Sequence, residues 1–492
     1  MTTVIRRSRL FLPVLAAVLL FAVFASVHAA RAANTFVVDN VTDDPLLCAC
    51  TGVADDCSLR GAVIAANAAP GVDTIEFLIP SAQCPGGVCP IAIANGSIEI
   101  AETVTIDATT QPLHNGTQAN VCATASAPSH PRVEIISNPA MPGTSRVFLI
   151  TDPVGPSTVR GFALGDDAGG SLSSQITLIA GTGHHIACNH IALTASGQAQ
   201  LGTADSFTGI LVEGTVSGVV IGTNGDGVDD IGERNVFASG GYSVYNNGND
   251  DVVIAGNYFG FSADGLTHVD AGSLHIRQGA SNNIVGTNED GLSDELERNY
   301  FGNNGGTASV GLAPFGTGLP TDVGIVGNTF GVSPDGTVVS VSRAVEVYDL
   351  STIETGFEIR DNTFAGANNA ISIIGDEAGA SALIADNVFG VGAAASNGDA
   401  IWLHGLGSHV VRDNLIANST GSGLVLADTA GLAAGSVNNC VVGNNEGVDN
   451  ATGFEVNLEN NWWGSIDGPS GIGSGSGDSI KVDADFTPWL TN

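Results

Sequence analysis

Basic side chains are almost missing from this chain. Its 492 residues include one lysine, Lys481, and 15 Lys plus Arg in all, against 50 Asp plus Glu, for a formal net charge of −35. Nucleic acids and anionic lipid surfaces are bound by clustered cations that displace counterions, so both partner classes are excluded. An acidic polymer would be repelled unless a divalent cation lay between. Long apolar runs are missing too, except at the start. Residues 10–27 form the one stretch long enough to cross a bilayer. Arg6, Arg7 and Arg9 precede it and small residues follow at 27–32, which predicts an export signal over 1–32 and a mature chain with no further membrane span. Helical repeats are also ruled out. They need segments of at least about ten residues with a 3.6-residue apolar period, and only 57–67 has one after the signal.

What the sequence does have is glycine, 66 residues of it, and a repeat. IAGNYFGFSADG (254–265) returns as IVGNTFGVSPDG (325–336), and shorter versions recur at 188–193, 233–238, 297–302, 360–365, 385–390, 412–417 and 460–465. Between them lie short β-branched runs such as Val219-Val220-Ile221 and Ile371-Ser372-Ile373-Ile374, bounded by Gly, Asn, Asp and Ser, the pattern of strands with tight corners. The asparagines of the repeat are 235, 257, 299, 328, 362, 387 and 414, separated by 22, 42, 29, 34, 25 and 27 residues; 42 is close to two turns of 21. Strands this short, recurring at this interval, pair with their counterparts only if the chain wraps round. The expectation is an all-β parallel β-helix. Asn tolerates the left-handed backbone of a corner, and its amide can hydrogen-bond to the next coil's.

Eight cysteines in an exported chain point to disulfides. Cys48, Cys50, Cys57, Cys84, Cys89 and Cys122 crowd the first quarter. Fifteen pairings are open to those six, with Cys84 and Cys89 placed for local closure around Pro-Gly-Gly. A zinc cluster on Cys48, Cys50 and Cys57 is the competing use of the first three. Cys188 and Cys440, 252 residues apart, read as buried core thiols. The segment 33–90 reads as a small disulfide-rich N-terminal cap holding a helix over 57–67 with Ser58 as N-cap. Residues 91–459 read as the β-helix. Residues 460–492, with Trp462, Trp463, Phe486 and Trp489, read as a closing segment over the far end.

CSLRGAVIAANAAPGVDTIEF (57–77) resembles the CSLREA domain at the N-terminus of secreted bacterial repeat proteins, with Gly61 where that motif has Glu. That departure puts in question any polar contact the Glu would make. VTIDATTQP (104–112), GTNGDGVDDIGERNVF (222–237) and GTNEDGLSDELERNYF (286–301) look like coils of pectin-lyase-like proteins. NNWWGSIDGPSG (460–471) is similar to the closing motif of such surface β-helices. The resemblance implies a right-handed solenoid displayed outside the cell. It leaves activity open, because this scaffold carries enzymes and adhesins alike.

The best candidate ligands are oxygens on two glycine bends: Asn224, Asp226, Asp229 and Asp230 in the first, Asn288, Asp290 and Asp294 in the second. Hard cations such as calcium are held this way, with Glu233 and Glu297 in reach by count. Asx-turns are the competing use of the same residues. A polysaccharide lyase would need a basic residue among acids. Arg277, Arg343 and Arg360 are scattered in sequence. A glycoside hydrolase would need a carboxylate pair, and Asp349, Glu354, Glu358 and Asp361 show no diagnostic spacing. His184 and His185, adjacent on a strand, point to opposite faces and cannot share a metal. His404 and His409 lack a third ligand. The expected role is therefore a secreted or cell-surface module that binds a polysaccharide or cell-surface glycan, or serves structurally, with a carbohydrate-active enzyme as the alternative.

Overall fold

The computed structural model describes residues 33–491, apart from 115–120, 138–144, 154, 167–171, 203–207, 239–240, 303–306, 314–319, 349–356, 376–380 and 391–396. The export signal expected over 1–32 lies outside the described residues. Parallel sheets of 13, 14 and 12 strands run the length of the molecule, and successive strands visit them in rotation. This is a parallel β-helix. Among the described residues no helix is long and apolar enough to cross a membrane.

From Asn189 onward each corner between the 13- and 12-stranded sheets carries an asparagine, whereas the coil before it turns at Gly161. Asn189, Asn235, Asn257, Asn299, Asn328, Asn362, Asn387, Asn414, Asn439 and Asn461 form one continuous ladder. In every rung the Oδ1 of one residue accepts both the backbone N–H and the side-chain Nδ2–H of the residue one coil before, for example Asn257 to Asn299 at 2.9 and 3.1 Å and Asn328 to Asn362 at 2.9 and 3.1 Å. The amide also donates to carbonyls of the neighbouring corner, as Asn328 does to Val285 at 2.8 Å. A buried corner would otherwise leave main-chain groups unpaired, at about 1–3 kcal/mol each.

The ladder corrects two expectations. In eight of the ten rungs the left-handed residue is the one before the asparagine: Gly256 and Gly327 have φ near +70°, and Cys188, Asp361, Asp386, Asp413, Asn438 and Asn460 lie between +57° and +62°, while Arg234 and Arg298, which follow the glycine bends, are not left-handed. The asparagine itself supplies hydrogen bonds. The step of 42 from Asn257 to Asn299 is one coil, because the two residues bond directly and Tyr258 pairs with Tyr300. Its extra length lies in two excursions, one closed by the Phe261–His268 bridge and one formed by the glycine bend at 286–298.

Two residues beyond each of the six successive rungs from Asn235 to Asn387 an aromatic ring enters the core; Ile191, Ile416 and Val441 stand at the same place after Asn189, Asn414 and Asn439. Phe237, Phe259, Phe301, Phe330, Phe364 and Phe389 stack with centroids 4.6–4.9 Å apart and planes within 10°. The spacing equals the strand separation, so each coil repeats the last. All six rings are buried.

The N-terminal end is closed by the helix Leu59–Ala68. Ser58 caps it, its hydroxyl accepting from Gly61 N at 3.0 Å. Leu59, Ala62, Val63 and Ala66 turn into the main core. Arg60 is buried and bidentate on Asp43 at 2.6 and 3.2 Å, with further bonds to the Gly96 and Ser97 carbonyls. Strand Thr35–Val38 pairs with Asp73–Phe77, which makes the cap the first rung of the 13-stranded sheet. At the other end Trp463 is fully buried and Phe486 and Trp489 pack against the core.

The disulfides are Cys50–Cys57, Cys84–Cys89 and Cys122–Cys188. The first removes two sulfurs from the zinc alternative, and Cys48 remains an exposed thiol. Cys188 is not the unpaired core thiol expected from its distance to Cys440. The segment 121–130 folds back over its coil and brings Cys122 onto it. Cys440 is half-buried and free.

Candidate functional site

The inner residues of the 14-stranded sheet are Val, Ile and Leu, and its outer face is what remains for chemistry. In register across successive coils, Tyr245 neighbours His275, His275 neighbours Gly311, Gly311 neighbours Glu346, Glu346 neighbours Ser372, and Ser372 neighbours Trp402. With strands about 4.8 Å apart, this row spans roughly 24 Å. Residues two positions on, Arg277 and His404 in the same strands and Tyr348 just past the end of its own, widen it into a stripe.

Three clusters occupy the stripe. In the first, Arg277 lies over the rings of Tyr242 and Tyr245 and donates to the Tyr245 hydroxyl at 3.0 Å and to His275 Nδ1 at 2.8 Å. Burial, and then the neighbouring guanidinium, push the His275 pKa down to about 3. The ring is therefore neutral and accepts at Nδ1. Gly311 makes room for it: a Cβ there would stand 2.8 Å from His275 Nε2. In the second cluster Glu346, 5 % exposed, takes Arg343 Nη1 on both oxygens at 2.9 Å and the Tyr348 hydroxyl on one. Burial and this carboxylate raise the Tyr348 pKa to about 12, so the phenol stays a donor. In the third, Trp402 and His404 lie with ring centroids 5.1 Å apart, and His404 Nε2 is 2.7 Å from Asp428. Flat aromatic faces interleaved with oriented donors and acceptors suit a chain of polar rings.

The other sequence candidates fall elsewhere. Arg277 and Arg343 reach one face, two coils apart. Arg360 lies at the ladder corner, paired with Glu358 at 3.0 Å and also with Glu289. Asp361 occupies a left-handed corner position there, its carboxyl raised to about 6 by burial and by Glu289. Asp349 and Glu354 lie outside the described residues. His184 is buried, its Nδ1 accepting from Ser157 N at 3.0 Å and its Nε2 donating to Ala180 O at 2.8 Å. His185 turns outward to the Gly222 carbonyl at 2.8 Å. His409 is sealed in the core with neither ring nitrogen bonded, and burial lowers its pKa to about 4. It does not meet His404.

Both glycine bends sit on the ladder corner, one coil apart from a tight turn at Gly256 that they flank. Asn224 Oδ1 accepts from Asp226 N at 3.0 Å, Asp226 Oδ1 from Val228 N at 2.8 Å, and Asp230 from Thr223 Oγ1 at 3.0 Å and Gly227 N at 3.1 Å. The second bend repeats this with Asn288 to Asp290 N at 2.8 Å, Asp290 to Leu292 N at 2.8 Å and Asp294 to Gly291 N at 3.3 Å. Glu233 and Glu297 each accept the N–H of the leading asparagine at 3.0 Å. Asp229 faces Arg160 at 3.6 Å. The bends touch through Ser293 Oγ and Asp230 at 2.5 Å. Among the described residues, the one place where three acidic, His or Cys ligand atoms lie within 4.8 Å is Cys84, Cys89 and His114, and both of those sulfurs are spent in a disulfide.

No family model, no curated protein and no solved structure matches this chain.

Proposed function

We propose that this protein is a secreted or cell-surface β-helix of the CSLREA-domain, pectin-lyase-like kind that binds a glycan along the outer face of its 14-stranded sheet. The observation that carries this reading is the registered row Tyr245, His275, Glu346 and Trp402. On a solenoid built for repetition, an outer row with no need to be apolar concentrates aromatic, guanidinium and imidazole groups. The three disulfides support an oxidising compartment, and the acidic surface keeps a long stack of strands apart in solution.

Screening the purified chain against neutral and acidic polysaccharides tests it, with reducing ends and unsaturated products followed in the same samples. Trp402→Ala is expected to weaken binding about tenfold, the loss of one aromatic anchor, while the unfolding transition stays in place because Trp402 lies outside the core. Unchanged affinity in this variant would move the site elsewhere. Product formation would favour a polysaccharide lyase or glycoside hydrolase on the same face.

A further inference from the structure

Three cysteines share one turn of the N-terminal cap, and two of them are bonded. Cys50 and Cys57 form a disulfide, with Cα atoms 4.6 Å apart, while Cys48 is an exposed thiol. Cys57 has a second neighbour, however. It faces Cys48 across an isolated antiparallel bridge. The flanking hydrogen bonds run from Ser58 N to Leu47 O at 3.0 Å and from Cys50 N to Asp56 O at 3.4 Å, whereas the main-chain groups of Cys57 itself turn to Asp39 and Asn40. Cys48 and Cys57 are therefore a non-hydrogen-bonded pair, the close kind, with Cα atoms about 4.5 Å apart and side chains on one face. A disulfide spans that separation. Cys57 thus has two partners in reach and is bonded to one.

The two sides of this group are held differently. Cys57 is the fixed pole. Its N–H donates to Asp39 Oδ1 at 3.0 Å, its carbonyl accepts from Asp39 N and Asn40 N at 3.0 and 3.1 Å, and the next residue, Ser58, caps the helix. Cys50 instead leads into the exposed loop 51–55 with a left-handed φ of +45°, a backbone region that disfavours residues with a side chain. Bonding Cys57 to Cys48 would release residue 50 from the link that holds it there. The other free thiol has no such arrangement: Cys440 neighbours Leu415 and Trp462.

We infer that Cys48, Cys50 and Cys57 form a thiol–disulfide switch in the N-terminal cap, the free thiol passing between positions 48 and 50 while Cys57 stays bonded. In the forward step the Cys48 thiolate attacks Cys57 Sγ. The Cys48–Cys57 bond forms, the Cys50–Cys57 bond breaks, and its electron pair leaves on Cys50 Sγ, which takes up from water the proton that Cys48 gave to it. One thiol and one disulfide enter and leave the step, so no oxidant or reductant is consumed. The closed loop lengthens by two residues. The free thiol moves from the exposed position 48 to position 50, which packs partly buried against the core. The switch thereby sets whether a disulfide-bearing partner meets an exposed nucleophile at this end of the solenoid. It does not depend on the outer face of the 14-stranded sheet.

Thiol trapping in the full chain carrying Cys440→Ser tests the switch. The protein is incubated at about pH 8.5, near the ordinary thiol pKa, pulsed with iodoacetamide, and its labels are located by mass spectrometry of non-reduced peptides. One label per chain is expected, divided between Cys48 and Cys50. Adding Cys48→Ser should abolish the label on Cys50, because nothing is left to displace it. Adding Cys50→Ser instead should leave no thiol to label, because Cys48 and Cys57 then bond to each other; circular dichroism checks that this variant is folded. If it does not fold, the division of label in the parent decides alone. Label confined to Cys48 in the parent, label persisting on Cys50 in the Cys48→Ser chain, or two labelled thiols in a natively folded Cys50→Ser chain would overturn the inference.

Discussion

Asn328→Ala is expected to remove about 4 kcal/mol of stability, measured as the shift of the denaturant midpoint. The side chain accepts Asn299 N and Nδ2 at 3.3 and 2.9 Å and donates to Val285 O, Val326 O and Asn362 Oδ1 at 2.8, 3.1 and 3.1 Å. Some of these groups keep a second partner: Asn299 Nδ2 still reaches Ile254 O, and Val326 O still receives Thr287 N. Asn299 N and Val285 O lose the bonds the amide gave them, inside a corner with no room for solvent. Val285 O keeps the ladder bond from Val326 N, so one orphaned buried donor, Asn299 N, at about 1–3 kcal/mol, with the other lost bonds at about 0.5–1.5 kcal/mol each, gives the figure, a large part of the roughly 5–15 kcal/mol typical of a folded domain. Asn328→Asp should be worse, since it keeps the acceptor but replaces three donated bonds with a buried charge. A midpoint within error of the parent for both variants would show that the ladder is an ornament of the fold.

Gly61→Ala is the second large effect, and its sign opposes helix propensity. Alanine inside a helix ordinarily gains about 1 kcal/mol over glycine. Here a Cβ would stand 1.8 Å from Leu47 O and 2.5 Å from Leu47 C, both main-chain atoms. The segment carrying Leu47 cannot move away easily. Ser58 N donates to Leu47 O at 3.0 Å, and the Cys50–Cys57 disulfide closes the following loop onto the helix. Overpacking against backbone costs about 3 kcal/mol or more, so thermal unfolding should fall well below the parent. Ile64→Glu, exposed on the same helix, should change stability by no more than about 0.5 kcal/mol. The clash also explains why glycine stands at position 61: the helix lies directly on the main chain at 47–48, where no side chain fits.

The fold was legible because it is written twice in each of the six coils from Asn235 to Asn387, as an asparagine at the corner and an aromatic two residues on. Two-residue spacing from a buried corner survives any change in the rest of the coil. The glycan stripe was not legible for the opposite reason. Tyr245 lies ten residues after its corner asparagine, His275 eighteen after Asn257, Glu346 eighteen after Asn328, and Trp402 fifteen after Asn387. Excursions of differing length between the 12- and 14-stranded sheets erase the period, so directly adjacent strands of the stripe differ in offset, as His275, eighteen after Asn257, and Gly311, twelve after Asn299, do. Gly311 is the one local signal, a glycine inside the strand run Val-Gly-Leu that marks a side chain lying across it. The Cys122–Cys188 pair was hidden similarly, since nothing in the spacing says that 121–130 doubles back.

Everything above rests on successive coils lying in register, and cysteine cross-linking in solution tests that most directly. Thr329 and Thr363 are partners on adjacent coils, and Val388 lies one coil further. In a background with Cys48 and Cys440 replaced by serine, Thr329→Cys with Thr363→Cys should oxidise to a disulfide across one strand spacing. Thr329→Cys with Val388→Cys should remain as two thiols, because Thr363 stands between them. Efficient linkage of the second pair, or none of the first, by mass spectrometry of the non-reduced protein would contradict the stacked solenoid.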